Sequence, residues 1–139
     1  MKRLLVICSL ITIHYSLLAQ QDSGFTNKAE AKNQMVDGKK EGKWVEYWEF
    51  GEEPYITKDT TAPMYSLIFY KANRAYGISR CYLKSGKLLN EIHYTDNKDN
   101  YTVKVFYESG KLRGEAVYEN SKQVGAAKNY DENGNEIKK

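Results

Sequence analysis

The residues with the chemistry for catalysis are few in this 139-residue sequence, and they stand far apart. His93 is one of only two histidines, and the other, His14, lies in an apolar run near the start. A catalytic histidine needs a nucleophile or an acid held beside it, and no neighbour in the sequence supplies one. We therefore expect a protein that is not an enzyme and has no catalytic residue.

Acidic residues suggest two further sites, and a simpler explanation fits each of them. Glu91 and Glu115 could act as an acid and base pair of the kind that flanks a glycosidase cleft. Both occupy the same position of a sequence repeat, however, and a charge on the solvated face of a strand explains that position. The stretch DENGNE, at residues 131–136, begins like a calcium loop but lacks its bidentate glutamate. Asp, Asn and Gly also form ordinary turns, so we expect no metal and no cofactor.

The first 19 residues have the pattern of a secretory signal peptide. Lys2 and Arg3 form a basic start, residues 4–18 are mostly apolar, and Ala19 and Gln20 fit a cleavage junction. The apolar run is too short for a stable membrane span. The pattern predicts export to the periplasm, the cell envelope or the medium, with no transmembrane span after cleavage.

The composition after this leader limits the classes of partner. The leader holds two of the 21 Lys and Arg, so the remaining 19 exceed the 18 Asp and Glu by one. A nearly neutral chain lacks the basic surface that nucleic acid requires, and we expect no nucleic acid partner. Cys81 is the single cysteine after the leader, which favours a buried small side chain over a disulfide or a reactive thiol.

A 24-residue repeat organises the rest of the chain. Gly86, Gly110 and Gly134 are spaced 24 apart, and an aromatic residue stands four places before each. The repeated positions follow G-x4-[YF]-x3-G, with Tyr101 in place of one glycine, and a second series of tyrosines recurs with the same period. These positions are Gly42, Tyr47, Gly51, Tyr70, Gly77, Tyr82, Gly86, Tyr94, Phe106, Gly110, Tyr118, Gly125, Tyr130 and Gly134.

Each repeat unit has the pattern of a β-hairpin. Residues 102–107 alternate and are rich in β-branched and aromatic side chains, ESGK supplies a turn, and residues 112–118 alternate again. We therefore predict an all-β fold, an antiparallel meander of about four consecutive hairpins in one elongated sheet at residues 38–139. We expect residues 20–37 to form a polar N-terminal segment that is poorly ordered or a short edge. Exposed end strands make self-association through the sheet edges an open alternative. One side of the sheet should carry Tyr47, Tyr82, Phe106 and Tyr130 together with Tyr70, Tyr94 and Tyr118.

The tryptophans are the strongest candidates for binding a partner. Alternation places Trp44 and Trp48 on the face opposite Val45 and Tyr47, where they meet solvent, a partner, residues 20–37 or the long loop 52–62. Tyr55, within that loop, joins them as a candidate partner-binding residue.

The stretch EGKWVEYW, the repeated Y-x-x-x-G-K-L and the glycine that opens the next unit resemble MORN-type repeats. The resemblance is closest to the bacterial variant found in secreted proteins and in immunity proteins (antitoxins) of toxin systems, and it covers residues 37–137. It implies a β-hairpin repeat fold and a binding or scaffolding role, with no shared catalytic residue. We thus expect a protein that binds another protein or an envelope component. The alternative is a module whose aromatic residues hold a cell-wall glycan or its substituents.

Overall fold

The computed structural model describes residues 24–95 and 99–138, so the leader predicted at residues 1–19 lies outside the described residues. The described elements are a single 3₁₀ turn at Lys28–Glu30 and nine strands. The strands are β1 Gln34–Val36, β2 Lys39–Glu49, β3 Tyr55–Thr57, β4 Met64–Lys71, β5 Arg74–Leu83, β6 Leu88–Tyr94, β7 Tyr101–Phe106, β8 Leu112–Glu119 and β9 Lys122–Asn129.

All nine strands form one antiparallel sheet in the order β1-β2-β4-β5-β6-β7-β8-β9, and β3 pairs with β2. Each strand of this order lies beside its neighbour in sequence, except that β3 sits within the β2–β4 connection. The predicted all-β meander of hairpins is confirmed. The long loop 52–62 is thus partly ordered, because β3 folds back onto the outer edge of β2.

Three hairpin turns share one geometry. Gly86, Gly110 and Gly134 have φ of +85°, +82° and +87°, a region that side chains strongly disfavour. In each turn the glycine N–H donates to the carbonyl three residues before it, at 2.8, 2.9 and 3.0 Å. Gly51 shares their sequence spacing but not the positive φ, because it follows the end of β2 in a bend.

Two of the three glycines that open repeat units mark irregular pairing, whereas Gly42 pairs with Tyr70 without a register shift. The register shifts between Leu67 and Phe69 of β4, opposite Gly77, and between Glu115 and Val117 of β8, opposite Gly125. Both glycines have positive φ, as bulged strands often require. At the equivalent position Tyr101 replaces glycine, and β6 and β7 pair without a shift.

The two faces of the sheet carry different residues. Residues that pair across neighbouring strands share a face, so the register defines face A by Tyr47, Tyr65, Tyr82, Phe106 and Tyr130. It defines face B by Trp44, Tyr70, Tyr94, Tyr101 and Tyr118. The prediction that both tyrosine series line one side is wrong. Ile78 pairs with His93 and Arg80 with Glu91, so Tyr82 lies on the same face as His93 and Glu91. Tyr94 follows His93 directly in β6 and therefore lies on the opposite face.

The apolar core lies on face A beneath the N-terminal segment. Phe25, Leu67 and Tyr82 are buried together, with Tyr65 stacked on Tyr82 at 5.2 Å between ring centroids. Lys28, in the 3₁₀ turn, places its ammonium 4.9 Å from the centre of the Tyr65 ring, a favourable cation–π contact. Residues 24–31 therefore cover face A over β2, β4 and β5.

The two ends of the sheet differ. The outer edge of β2 is occupied along its length by β1, by β3 and, between them, by Asn33. The Asn33 side chain donates to the Val45 carbonyl and accepts from the Val45 N–H, both at 2.9 Å, and so replaces a strand residue. Strand β9, at the opposite end, pairs only with β8 within the described ranges.

Replacing Gly110 tests the turn geometry. We expect Gly110→Ala to lower the free energy of unfolding by about 1–2 kcal/mol, because the left-handed conformation is unfavourable for alanine. A Cβ at this position meets no atom within 4 Å, so no steric clash adds to this effect. Gly110→Asn should lose less, since asparagine tolerates this region. Urea unfolding measures both, with Ser109→Ala as the exposed control. Equal stability of all three variants and the wild type would contradict the turn geometry.

Candidate partner-binding surface

An aromatic row crosses face B from β2 to β8. Trp44 meets Tyr70 edge to face with centroids 5.9 Å apart, Tyr94 lies 5.9 Å from Tyr101, and Tyr101 stacks on Tyr118 at 4.8 Å. All five rings are half-buried. Burial raises the pKa of Tyr70 far above its usual value, and the nearby Glu46 carboxylate raises it further. The Tyr70 hydroxyl is therefore a neutral hydrogen-bonding group at physiological pH.

Tyr101 completes this row because it departs from the repeat. A glycine at this position would bend β7 and leave a gap between the rings of Tyr94 and Tyr118. Tyr101 instead pairs directly with Tyr94 and with Tyr118, and its ring lies between theirs. The departure from the repeat thus creates the closest aromatic stack of face B.

A groove adjoins the stack on the same face. It has a volume of about 440 Å³, and its floor is formed by Val103, Val105 and Ala116, with Tyr118, Gln123 and Ala127 beside them. Val105 is 39% exposed although it is β-branched and apolar. The groove is also lined by Arg113, Glu115, Lys128 and Asn129, so it combines apolar side chains with charged and polar groups.

A buried carboxylate fixes the first part of the aromatic row. Glu46 is only 5% exposed and accepts from Lys40 Nζ at 2.5 Å and from the Tyr70 hydroxyl at 3.0 Å. The same ammonium lies 5.0 Å from the centre of the Trp44 ring, and the Trp44 N–H donates to the Glu41 carbonyl at 3.0 Å. A buried charge is tolerated when it is paired and hydrogen-bonded in this way. Trp44 is therefore held in place by its neighbours.

The three predicted partner-binding residues do not form one site. Trp44 and Trp48 share face B, where Trp48 pairs with Ile56 and Met64. The indole N–H of Trp48 is buried and has no hydrogen-bond partner in the described ranges. Tyr55 pairs with Glu49 and so belongs to face A; it is 56% exposed on the short strand β3. The structure places the two tryptophans on face B and Tyr55 on face A.

Face A carries a ladder of alternating charges where the core ends. Five directly paired residues cross strands β5 to β9 with alternating sign, and we name them the charge ladder: Arg80, Glu91, Lys104, Glu115 and Lys128. Arg80 donates to Glu91 at 2.7 Å, and Lys128 lies 3.5 Å from Glu115. Opposite charges that face each other across strands stabilise a sheet.

The expectation that Glu91 and Glu115 are simply solvated charges is wrong. The Glu91 side chain is 16% exposed, and its second oxygen lies 3.0 Å from His93 Nε2. Burial opposes the charging of Glu91, but hydrogen bonds from His93 and Arg80 outweigh burial and hold its pKa below the usual value. Glu115 accepts from the Tyr130 hydroxyl at 3.1 Å in addition to its lysine partner.

Other chemistry-bearing residues are engaged locally. Cys81 is half-buried, and burial raises the pKa of its thiol, which keeps the thiol protonated. Asp131 accepts from the N–H groups of Asn133 and Asn135 at 2.9 and 2.8 Å, so the stretch 131–136 forms a turn. No group of residues suited to a metal ion occurs in the described part of the chain. Within residues 24–95 and 99–138, no helix is long and apolar enough to cross a membrane.

Sequence reasoning missed the cations of the charge ladder and the role of Tyr101. Arg80, Lys104 and Lys128 are spaced 24 apart, so the repeat itself carried the signal. Paired with Glu91 and Glu115, this spacing would have indicated an alternating row. Tyr101 was noted as a departure from the repeat, but its neighbours could be named only once the register was known.

Comparison with known proteins identifies the repeat. A family model described as the MORN repeat variant matches residues 75–96 and 102–120. The two matched segments cover all but the first residue of the hairpins β5–β6 and β7–β8, including both Ser-Gly-Lys-Leu turns. Repeats of this family generally form modules that bind proteins or membranes. No curated protein matches the chain, and no solved structure matches it.

The charge ladder predicts a specific loss of stability in acid. Glu91→Gln should lower the free energy of unfolding by about 2 kcal/mol at pH 7, because it weakens charge-assisted hydrogen bonds. The folded-state pKa of Glu91 is depressed, so this contribution is full above the ordinary value of 4.5 and is lost as pH falls below it. Urea unfolding at pH 7 and pH 3 should therefore show the difference between wild type and variant shrinking in acid.

Glu108→Gln is the matched control for this experiment. Glu108 pairs with Lys87 at 3.0 Å, but its side chain is 81% exposed, and surface pairs of this kind contribute little. An equal effect of both substitutions, or a Glu91→Gln effect that is unchanged at pH 3, would contradict the account of the ladder.

Proposed function

We propose that this MORN repeat protein is an exported, non-enzymatic module whose face B binds another protein at the cell envelope. The observation that carries the proposal is the combination, on one face, of the aromatic row and the open groove beside it. Tyrosine and tryptophan are enriched in protein interfaces, since their rings bury apolar area while their polar atoms keep hydrogen bonds.

The contrast between the faces favours face B as the binding surface. On face A, residues 24–31 cover the core beneath β2, β4 and β5, and the charge ladder crosses the later strands. On face B, the later strands carry Tyr101, Val103, Val105, Ala116 and Tyr118. Val105 lies in the groove of face B, so a partner that occupies the groove would bury this exposed apolar side chain.

The environments of the ionisable residues support a non-enzymatic role. His93 and Arg80 both contact Glu91, so all three side chains are engaged with one another within the sheet. Cys81 has a raised pKa, whereas a nucleophilic cysteine needs a lowered one. Each group that could serve in catalysis is better explained by its part in holding strands together.

The alternative ligand is a cell-wall glycan, and one observation favours it. The amide side chains of Gln123 and Asn129 border the groove beside the Tyr118 ring, which combines hydrogen-bonding groups with an aromatic wall. The tyrosine rings are, however, stacked on one another, and this leaves less ring surface for a sugar. A fall in tyrosine fluorescence on titration with glycan fragments, with no protein captured, would favour the glycan.

Location and biological setting complete the proposal. The basic start and apolar run of residues 1–19 support export. The resemblance to the variant found in immunity proteins supports a toxin as one class of partner, which face B would bind and block. A gene for a toxin beside the gene for this protein would strengthen that reading.

Two valines on adjacent strands test the choice of face. Val105→Glu places a charge in the groove of face B, whereas Val117→Glu places the same charge on face A at a residue that is 45% exposed. We expect the wild type and Val117→Glu to retain the same partner from envelope extracts and Val105→Glu to retain at most a tenth of it. Similar loss in both variants, with both folded by circular dichroism, would contradict binding through face B.

Export is tested independently by fractionation of cells that produce the full chain. We expect the protein in the periplasmic or extracellular fraction, with an N-terminus at Gln20 by peptide sequencing. The variant Leu10→Arg interrupts the apolar run and should leave the protein uncleaved in the cytoplasm. Uncleaved wild-type protein in the cytoplasm would overturn the export part of the proposal.

A further inference from the structure

A basic pocket lies on face A beside the turn that joins β4 to β5. It has a volume of about 510 Å³, and its walls include Lys39, Lys71, Arg74, Tyr76 and Thr95. Lys71 and Arg74 pair across the two strands, so their side chains stand side by side on this face. A cavity of this volume is large enough for a small ligand.

The three cations of the basic pocket lack an acidic partner. Lys39, Lys71 and Arg74 are exposed, and within residues 24–95 and 99–138 none of them forms an ion pair. No carboxylate of these ranges lines the pocket. The charge ladder on the same face, by contrast, alternates in sign. The pocket therefore concentrates positive charge on a chain whose net charge is only +3.

The repeat provides an ordinary version of this hairpin for comparison. Both the β4–β5 turn and the β8–β9 turn have two central residues with φ between +50° and +66°. In the β8–β9 hairpin Glu119 pairs with Lys122, so opposite charges face each other. Lys71 and Arg74 stand two 24-residue periods before these residues, so a lysine occupies the position of the glutamate. Like charges directly opposed destabilise a strand pair, and a bound anion would relieve this repulsion.

Hydrogen bonds to β2 hold the wall of the basic pocket in place. The Asn73 side chain accepts from the Lys40 N–H at 2.6 Å, and the Asn73 N–H donates to the Lys40 carbonyl at 3.1 Å. The Ala72 N–H donates to the Glu41 carboxylate at 2.7 Å, which engages this carboxylate with the turn. Lys71 Nζ lies 5.9 Å from the centre of the Tyr76 ring. The turn is thus fixed before a ligand binds, which lowers the entropy that binding costs.

The types of the three cations indicate the chemistry of the ligand. An arginine guanidinium can bind two oxygens of one phosphate, and lysine ammonium groups add point charges. A phosphate monoester carries about two negative charges and three acceptor oxygens, so it matches three converging cations better than a single carboxylate does. We propose that the basic pocket binds a phosphoryl group. Because the pocket lies on face A, this site is separate from the groove of face B.

Calorimetric titration of the full chain with inorganic pyrophosphate measures the affinity. Lys71→Glu reproduces the charges of the β8–β9 hairpin, with a carboxylate opposite Arg74, so this variant should resist urea at least as well as the wild type. We expect it to weaken pyrophosphate binding about tenfold, because an attraction becomes a repulsion. Lys122→Glu changes the net charge equally at the equivalent hairpin and should leave the affinity unchanged.

Arg74→Lys separates the geometry of the site from its charge. The variant keeps the charge but loses the planar fork, so we expect pyrophosphate to bind about threefold more weakly. No binding at millimolar pyrophosphate, equal losses in Lys71→Glu and Lys122→Glu, or equally tight binding of a tetraglutamate peptide would each overturn the proposal. The last outcome would instead assign the pocket to an acidic segment of a protein.

Vesicles distinguish two sources of the phosphoryl group. Co-sedimentation compares vesicles of phosphatidylcholine and phosphatidic acid with vesicles of phosphatidylcholine alone. Retention that requires phosphatidic acid and is lost in Lys71→Glu would assign the phosphoryl group to a lipid. Pyrophosphate binding without retention on either vesicle would assign it to a soluble compound. Val105→Glu should bind pyrophosphate as the wild type does, so failure of this proposal is distinguishable from failure of binding through face B.

Discussion

The structure depends on the register between consecutive antiparallel strands. In such a meander a residue and its counterpart 24 positions later lie two strands apart on the same face, as Arg80, Lys104 and Lys128 do. A slip of one residue would move every side chain of a strand to the other face. The register is fixed by turns that demand glycine at positive φ and by paired charges that match only in one alignment.

The same 24-residue repeat therefore places different kinds of residue on the two faces of the sheet. On face A, it repeats the alternating charges that join β5 to β9, and the N-terminal segment covers the apolar part with Phe25. On face B, it repeats the tyrosines, and Tyr101 joins Tyr94 to Tyr118 where the repeat has lost its glycine. Face A holds the apolar core and the charge ladder, whereas face B holds the aromatic row.

The sequence predicted the hairpins, their turns and the meander, because alternation and glycine spacing are local signals. It could not assign the tyrosine series to faces, since the register across the turn between Tyr82 and Tyr94 determines which positions meet. It also could not separate Tyr55 from the tryptophans, because β3 pairs with β2 only through a long-range contact. The solvation of Glu91 was misjudged for the same reason: its partner Arg80 lies on another strand.

The most direct test is to determine the strand register in solution. Cross-strand nuclear Overhauser effects between backbone and side-chain protons report this register. The account predicts contacts that join the rings of Tyr94, Tyr101 and Tyr118, and a separate set that joins Glu91, Lys104 and Glu115. Contacts from the Tyr101 ring to the side chains of Lys104 or Glu115 would indicate a register that mixes the faces, and would contradict the division on which the proposed binding surface rests.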